Sequence, residues 1–178
     1  IFSYDYPPSP FLEQQGPRGV IDSVASDKDD PTVDPRFGKV GKQVILSDKM
    51  WKEEEIAYFD DKVSKRAQNF MERQVKDDKP FFVWVNFTHM HLWTETKKES
   101  IGQSGRWQSA YHDSMIDHDK NVGEVLDMID KLGIADNTIV IYGTDNGPHM
   151  NTWPDAAMTP FRGEKDMNFE GAFRTPAF

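Results

Sequence analysis

Cysteine is absent from the 178 residues of this chain. Its absence excludes disulfides, thiolate metal sites and a cysteine nucleophile from these residues. The chain also lacks an apolar run of about 18 residues, so no segment is predicted to span a membrane. It does not begin with Met, and no signal peptide is recognisable in it.

Positive charge is scarce as well. Asp and Glu outnumber Lys and Arg by 30 to 21, and the formal net charge is −9. Because no long basic tract occurs, we expect neither a nucleic-acid backbone nor an anionic membrane surface as a partner. Hydrophobic residues make up only 37% of the chain. They are concentrated in a few runs, so one ordinary domain with a core is expected at this length.

One apolar run ends abruptly in polar residues. Residues 138–142 (TIVIY) have the composition of a strand buried on both faces, and GTDNGP follows directly. Asp145 and Asn146 therefore lie just past a predicted strand, at the edge where open α/β sheets bind ligands. Their oxygen atoms suit a Ca²⁺ or Mg²⁺ ion. The alternative is a simple turn, which Asp-Asn-Gly-Pro also favours.

A second apolar run has the same form. Residues 81–87 (FFVWVNF) predict another buried strand, and THMH follows at 88–91. In an extended segment, alternate residues lie on one side, so we expect His89 and His91 to face the same way. Such a pair fits a transition-metal ligand set or an anion contact, and the alternative is a structural role for each histidine.

Helical periodicity surrounds these two runs. Residues 60–76 and 109–132 have apolar residues at helical spacing, and Gly133 suits the end of the second helix. The apolar stripe predicted for the second helix consists of Tyr111, Met115, His118, Val122, Val125, Leu126, Ile129 and Leu132. The alternation of helix and strand predicts an α/β fold with a mostly parallel sheet flanked by helices. A short strand is predicted at residues 44–46. The composition of residues 1–43 predicts an irregular arm, which precedes a domain at 44–178.

Two further residues downstream are candidate ligand contacts. His149 follows the predicted metal-binding turn and fits a ligand or substrate contact, although a solvated loop histidine is the alternative. Lys165 lies in a glycine-bearing loop, PFRGEK at 160–165, and suits an anion contact. Its alternative is an ordinary solvated surface lysine.

Four segments, in this order, resemble the sulfatase family of the alkaline-phosphatase-like superfamily. Residues 79–91 resemble its KPFF…H-x-H segment, and residues 111–133 resemble its YxDxVxxxDxxVGxxLxxLxxxG helix. Residues 136–148 resemble DNTxVIxxSDNGP, and residues 160–176 resemble LRGGK…EGGxRxP. The resemblance covers about residues 60–178 and implies an alkaline-phosphatase-like α/β sheet that is incomplete in this chain.

The resemblance implies a role for each candidate residue. Asp145 and Asn146 match two late ligands of the family's active-site Ca²⁺, which is favoured over Mg²⁺. Lys165 matches the lysine that contacts the sulfate group, and His91 matches the histidine at the sulfate and leaving-group oxygen. His91 and Lys165 are thus the candidate catalytic residues. His89 and His149 are added as candidate substrate contacts.

The implied activity is hydrolysis of sulfate esters on a sulfated small molecule or carbohydrate, with Ca²⁺ and a formylglycine nucleophile. The family's C/S-x-P-x-R motif, from which that nucleophile is made, does not occur in these residues. We therefore expect the chain to be part of a longer catalytic domain, truncated at both ends, and inactive alone. Export to the periplasm, the extracellular space or the lysosome is also implied. The alternatives are a phosphonate or phosphodiester hydrolase of the same superfamily and a non-catalytic domain that binds sulfated glycans.

Overall fold

A computed structural model describes residues 2–4, 20–34, 38–49, 53–91, 94–156 and 159–178. The chain forms two compact units, residues 1–56 and residues 57–178. Each unit has its own secondary structure, antiparallel strands in the first and two long helices in the second. The candidate site residues all belong to the second unit.

The first unit is built on a small antiparallel sheet. Its three strands lie in the order β1, β2 and β5, with the bounds Phe2–Tyr4, Val20–Ala25 and Gln43–Lys49. A bulge between Asp22 and Ser23 shifts the register of β2 against β5. The two-residue strands β3 (Val33–Asp34) and β4 (Gly38–Lys39) form a separate antiparallel pair, and the short helix α1 covers Glu53–Ile56.

This sheet corrects the prediction of an irregular arm over residues 1–43. The short strand predicted at 44–46 is confirmed within β5, but its partner β2 lies inside the supposed arm. The Asp30 carboxylate accepts hydrogen bonds from the backbone N–H groups of Thr32 and Ile45, which joins the intervening loop to β5. Strand pairing is a long-range interaction, and the Pro-rich and Asp-rich flanks of β2 conceal it in the sequence.

The two helices predicted in the second unit are confirmed. Helix α2 covers Phe59–Lys76 and α3 covers Ala110–Lys131. The Ser109 hydroxyl accepts a hydrogen bond from the Tyr111 N–H at the start of α3, and Gly133 follows its end with φ of 68°. Two 3₁₀ turns (Lys98–Ser100 and Ala135–Asn137) and α4 (Glu170–Phe173) complete the described elements. Among the described helices, none is both long and apolar enough to cross a membrane.

The core of this unit lies between α2 and α3. Met71 from α2 is buried against Met128 and Ile129 from α3. Partly buried apolar side chains surround these three, namely Phe81, Val83, Val125, Leu132 and Ile134. The chain that leaves α2 therefore folds back along the helix pair and leads to His91.

The two predicted buried strands have a different environment from the one expected. Along residues 81–87, half-buried and exposed side chains alternate, as in an extended chain with one covered face. Phe82 is 84% exposed and Ile139 is 90% exposed, so burial on both faces is wrong for the chain as described. Neither segment lies in a β-ladder of the described residues. At the end of the second segment, Tyr142 exchanges two backbone hydrogen bonds with Phe178, and the next residue, Gly143, forms an isolated bridge with Ala177. The sheets among the described residues are antiparallel. The two segments do not pair with each other there, so the parallel pairing predicted between them is not seen in this part of the chain.

The buried face of α3 also differs from the predicted apolar stripe. Met115 and Leu126 are exposed, whereas the polar residues Asp113, Ser114, Asp117 and Asn121 are buried. Partners from the preceding loop explain the burial of Asp113, which accepts hydrogen bonds from the N–H groups of Gly102 and Ser104. Hydrogen-bonded polar groups can be buried at little cost. Hydrophobic periodicity alone therefore predicts the helix but not the whole of its buried face.

The contact of α2 with α3 leads to a stability prediction. Met71 is 3% exposed, so Met71→Ala should remove packed methylene groups and lower the free energy of unfolding by about 2–5 kcal/mol. Met167→Ala, at a residue that is 46% exposed, should change it by no more than about 0.5 kcal/mol. Urea titrations followed by helical circular dichroism at 222 nm measure both. Equal losses in the two variants would contradict this location of the core.

Candidate active site

His91 and Lys165 meet in the second unit although 74 residues separate them in sequence. The Lys165 Nζ lies 3.4 Å from the His91 Nε2. A lysine ammonium can only donate, so this contact requires Nε2 to accept and the imidazole to be neutral. The backbone N–H of Lys165 donates to the Pro148 carbonyl at 2.9 Å, which holds the lysine loop beside the turn that carries Asp145 and Asn146.

The electrostatics of His91 link it to three other candidate residues. Burial lowers the pKa of His91, and the positive charge of Lys165 and the proximity of His149 lower it further, while Asp145 opposes the shift. A positive charge on both His91 and Lys165 is thus unfavourable without an anion between them. The structure therefore gathers His91, Lys165, Asp145 and His149 into one electrostatic neighbourhood.

Asp145 and Asn146 lie in a turn held by backbone contacts. The Gly147 N–H donates to the Ala172 carbonyl at 2.7 Å, and a Cβ at Gly147 would overlap the carbonyl oxygen of Gly171. The side-chain hydrogen bond from Asn146 lowers the pKa of Asp145, and the charge of Lys165 contributes to the same shift. Asp145 is accordingly an ionised carboxylate beside an amide, held by a close glycine contact.

This turn fits part of a Ca²⁺ site. Ionised carboxylate and amide oxygens are ligands that Ca²⁺ prefers, but the ion takes six to eight of them. Within the described ranges, no group of three or more His, Asp or Glu side chains is arranged to hold a metal ion. The described residues thus offer Asp145 and Asn146 as two ligands of an incomplete set.

The loop that carries His149 packs against the lysine loop. The Asn151 N–H donates to the Glu164 carboxylate at 2.9 Å, and the His149 Nδ1 accepts a hydrogen bond from the Thr152 N–H at 3.3 Å. The Glu164 carboxylate is therefore bonded to the backbone of the loop that carries His149. This contact brings His149 to the same side of the unit as Lys165.

His89 points away from this neighbourhood. Its Nδ1 lies 2.9 Å from Oδ2 of the fully buried Asp60, and its Nε2 lies 3.1 Å from the Glu95 carbonyl. Both ring nitrogens are thus in contact with protein groups, and the structure does not bring His89 together with Lys165. The expectation that His89 and His91 face the same way is wrong, because Met90 between them has φ of 77° and the chain is not extended there.

Sequence reasoning missed the role of Asp60. Asp60 and Asp61 indicate the start of a helix, but Asp60 also accepts hydrogen bonds from the Thr88 hydroxyl and from the Thr88 and His89 N–H groups. No local pattern connects Asp60 with Thr88, 28 residues later. The only signal in the sequence was that two acidic residues, and not one, stand at the helix start.

His118 was predicted as part of an apolar stripe and has a more specific environment. Its ring packs edge-on to Phe87, with centroids 5.4 Å apart, and its Nε2 lies 2.9 Å from the Tyr142 hydroxyl. Burial lowers the pKa of His118, and the charge of His89 adds to the shift. His118 thus bridges the ends of the two extended segments that lead to His91 and Asp145.

The lysine loop is braced by cation–π contacts. The Arg162 guanidinium lies 4.0 Å from the centroid of the Phe169 ring, and the Arg174 guanidinium lies 4.2 Å from that of Phe161. Arg174 also pairs with Glu170 at 2.8 Å. These contacts shape the loop on both sides of Lys165.

Comparison with known proteins identifies the family. The sulfatase family model matches residues 23–178, which is most of the chain and includes each candidate residue. The chain belongs to the sulfatase family. The match begins well before residue 60, where the recognisable motifs start, so much of the antiparallel sheet of the first unit lies within the family domain.

Curated sulfatases are similar to this chain over part of its length. Rat steryl-sulfatase is 33% identical over 121 residues, which are 65% of this chain and 20% of that protein. Human N-acetylgalactosamine-6-sulfatase is 32% identical over 114 residues, or 62% of this chain and 21% of that protein. The aligned part of the chain thus spans about a fifth of the length of these two relatives.

A solved structure supports the fold. The crystal structure of the PsFucS1 sulfatase from Pseudoalteromonas sp. matches with a TM-score of 0.71 and 26% identity, covering 89% of this chain and 28% of that one. This similarity confirms the alkaline-phosphatase-like α/β fold predicted from the sequence. The chain corresponds to a part of that larger architecture.

The contact between Lys165 and His91 leads to a pKa prediction. Lys165→Met should raise the pKa of His91 part of the way to its ordinary value, because the lysine charge is removed while burial, the larger cause, remains. Lys79→Met is the matched control at the start of the segment that ends at His91, and it should leave the pKa unchanged. Titration of the His91 ring protons by NMR measures both. An unchanged pKa in Lys165→Met would contradict the observed contact.

Proposed function

We propose that this chain carries the sulfate-binding part of a sulfatase active site, in which His91 and Lys165 are the catalytic residues. The observation that carries the proposal is the 3.4 Å approach of the Lys165 Nζ to the His91 Nε2. Two groups that repel each other when both are charged favour an anion between them. A sulfate ester supplies that anion.

The chemistry of these two residues suits sulfate ester hydrolysis. Lys165 binds the non-bridging sulfate oxygens and offsets their charge. A bound anion also favours protonation of His91, since it compensates the burial and the lysine charge that lower the pKa of this residue. Protonated His91 then donates its proton to the leaving-group oxygen as the ester bond breaks. His149 is a further substrate contact at the side of the lysine loop.

Asp145 and Asn146 would hold a Ca²⁺ ion together with ligands from outside these 178 residues. When bound, the ion offsets negative charge on the sulfate oxygens. The family's formylglycine nucleophile also belongs outside them, because no C/S-x-P-x-R motif occurs in the sequence. We therefore propose that hydrolysis requires a longer form of the protein and that the chain alone binds sulfate without turnover.

Substrate class and location follow from the same family membership. The names of the relatives refer to a steroid substrate and to N-acetylgalactosamine carrying a 6-sulfate. We propose a sulfated small molecule or carbohydrate for this protein, and export from the cytoplasm as its location. A panel of sulfated steroids and sugars, and fractionation of the source cells, test these two points.

The proposed activity is tested with esters of one chromogenic phenol. A longer form that includes a C/S-x-P-x-R segment should hydrolyse 4-nitrophenyl sulfate, and Lys165→Ala should lower kcat/KM by about 100-fold, as removal of an electrostatic stabiliser does. The 178-residue chain should release no nitrophenol. Turnover only of the phosphate or phosphonate ester would favour the related hydrolases. Sulfated-glycan binding without any turnover would favour a non-catalytic domain.

Metal binding gives a separate prediction for the chain alone. With two ligands in the described residues, Ca²⁺ affinity should be weak, in the millimolar range of about 10⁻³ M or weaker. Asp145→Asn should abolish the residual binding, whereas Asp136→Asn, nine residues earlier, should leave it intact. Calorimetry with Ca²⁺ and then Mg²⁺ measures both. Micromolar affinity for the unmodified chain would show that these residues hold a full set of ligands.

A further inference from the structure

The end of the segment that carries His91 is attached to α2 by a single carboxylate. Asp60, the second residue of α2, is fully buried. It accepts hydrogen bonds from the Thr88 N–H at 2.8 Å, the Thr88 hydroxyl at 2.8 Å and the His89 N–H at 2.9 Å. The His89 Nδ1 lies 2.9 Å from the same carboxylate. Three hydrogen-bond donors and one close ring nitrogen, all from two consecutive residues, thus converge on one side chain.

Charge strengthens this attachment. Burial alone would lower the pKa of His89, but the hydrogen bond and the charge of Asp60 outweigh it and raise that pKa. Burial likewise tends to raise the pKa of Asp60, yet the contacts with His89 and Thr88 lower it. The two groups therefore form a buried ion pair, with His118 as the neighbouring titratable group. Removing one partner of such a pair is costly, because the other partner is left as an unpaired buried charge.

The attachment determines where His91 points. Met90 follows His89 directly and has φ of 77°, a conformation that non-glycine residues adopt only when their surroundings impose it. The His91 carbonyl then accepts the Thr94 hydroxyl hydrogen bond at 2.8 Å, and its Nε2 reaches Lys165.

We propose that Asp60 is the positioning residue for His91, acting through Thr88 and His89 to hold the imidazole opposite Lys165. The proposal rests on the proposed function of His91 in sulfate binding. Asp60 itself is buried among its donors and does not touch the substrate.

A double-mutant cycle on the 178-residue chain tests this role, with inorganic sulfate as the probe and NMR shifts of Lys165 as the readout. Asp60→Asn should weaken sulfate binding about tenfold, the factor that corresponds to one hydrogen bond with a charged group. His91→Ala should weaken it by a similar factor. The double variant should bind no more weakly than His91→Ala, since Asp60 acts through His91. Independent, multiplying losses would overturn the proposal.

The neighbouring aspartate provides the matched control. Asp61 lies on the same turn of α2 as Asp60, is partly exposed, and pairs with Lys97 at 2.6 Å. Asp61→Asn should therefore leave sulfate binding unchanged. If Asp60→Asn does not fold, Thr88→Val removes only the hydroxyl donor and should still weaken binding several-fold, again without effect in the His91→Ala background. Unchanged binding in a folded Thr88→Val or Asp60→Asn variant would also overturn the proposal.

A second readout separates this proposal from the proposed function. In the unmodified chain, Lys165→Met should raise the pKa of His91, as stated above. In the Asp60→Asn background the same substitution should leave that pKa unchanged, because the imidazole no longer lies beside the lysine. This measurement needs no sulfate. Absence of sulfate binding in the unmodified chain would thus refute the proposed function, whereas a persistent effect of Lys165→Met would refute the role of Asp60.

Discussion

The buried carboxylate of Asp60 is the constraint on which the arrangement of the second unit depends. A carboxylate without access to water must be matched by donors, and those found among the described residues belong to Thr88 and His89. The start of α2 and the end of the segment that packs on it are therefore joined at one point. The core of the helix pair places the beginning of that segment, and Asp60 places its end, so that His91 emerges at a defined position.

The other candidate residues reach the site through backbone contacts between loops. The lysine loop bonds to Pro148, and the turn that carries Asp145 and Asn146 bonds to Ala172. The contact of Lys165 with His91 requires a neutral imidazole, so the two groups do not repel each other as they stand. Protonation of His91 would place two positive charges side by side, and a bound anion offsets that repulsion. Burial and the charge of Lys165 together lower the pKa of His91, and the proposed sulfate ester is an anion that compensates both.

Predictions from local pattern and from nonlocal pairing had different outcomes. The helices at 60–76 and 109–132 were predicted correctly because apolar periodicity is encoded within each segment, and the second helix also has a capping serine and a terminal glycine. The pairing of β2 with β5 was missed because it depends on residues 18 to 29 positions apart, from Ala25 with Gln43 to Val20 with Lys49. The segments 81–87 and 138–142 have the composition of doubly buried strands. In the described structure one face of residues 81–87 is exposed, and residues 139–141 are exposed one after another, because burial is a property of neighbours and not of the strand itself.

The sequence by itself determined the helices, the polar residues that end each apolar run, and membership of the sulfatase family through the order of its motifs. It did not separate His89 from His91, which are the same residue type two positions apart. Only the tertiary structure assigned one to a buried ion pair and the other to the lysine. The physical reason is that Asp60 lies 29 residues from His89 in sequence, and that no local pattern indicates the left-handed backbone at Met90 between the two histidines.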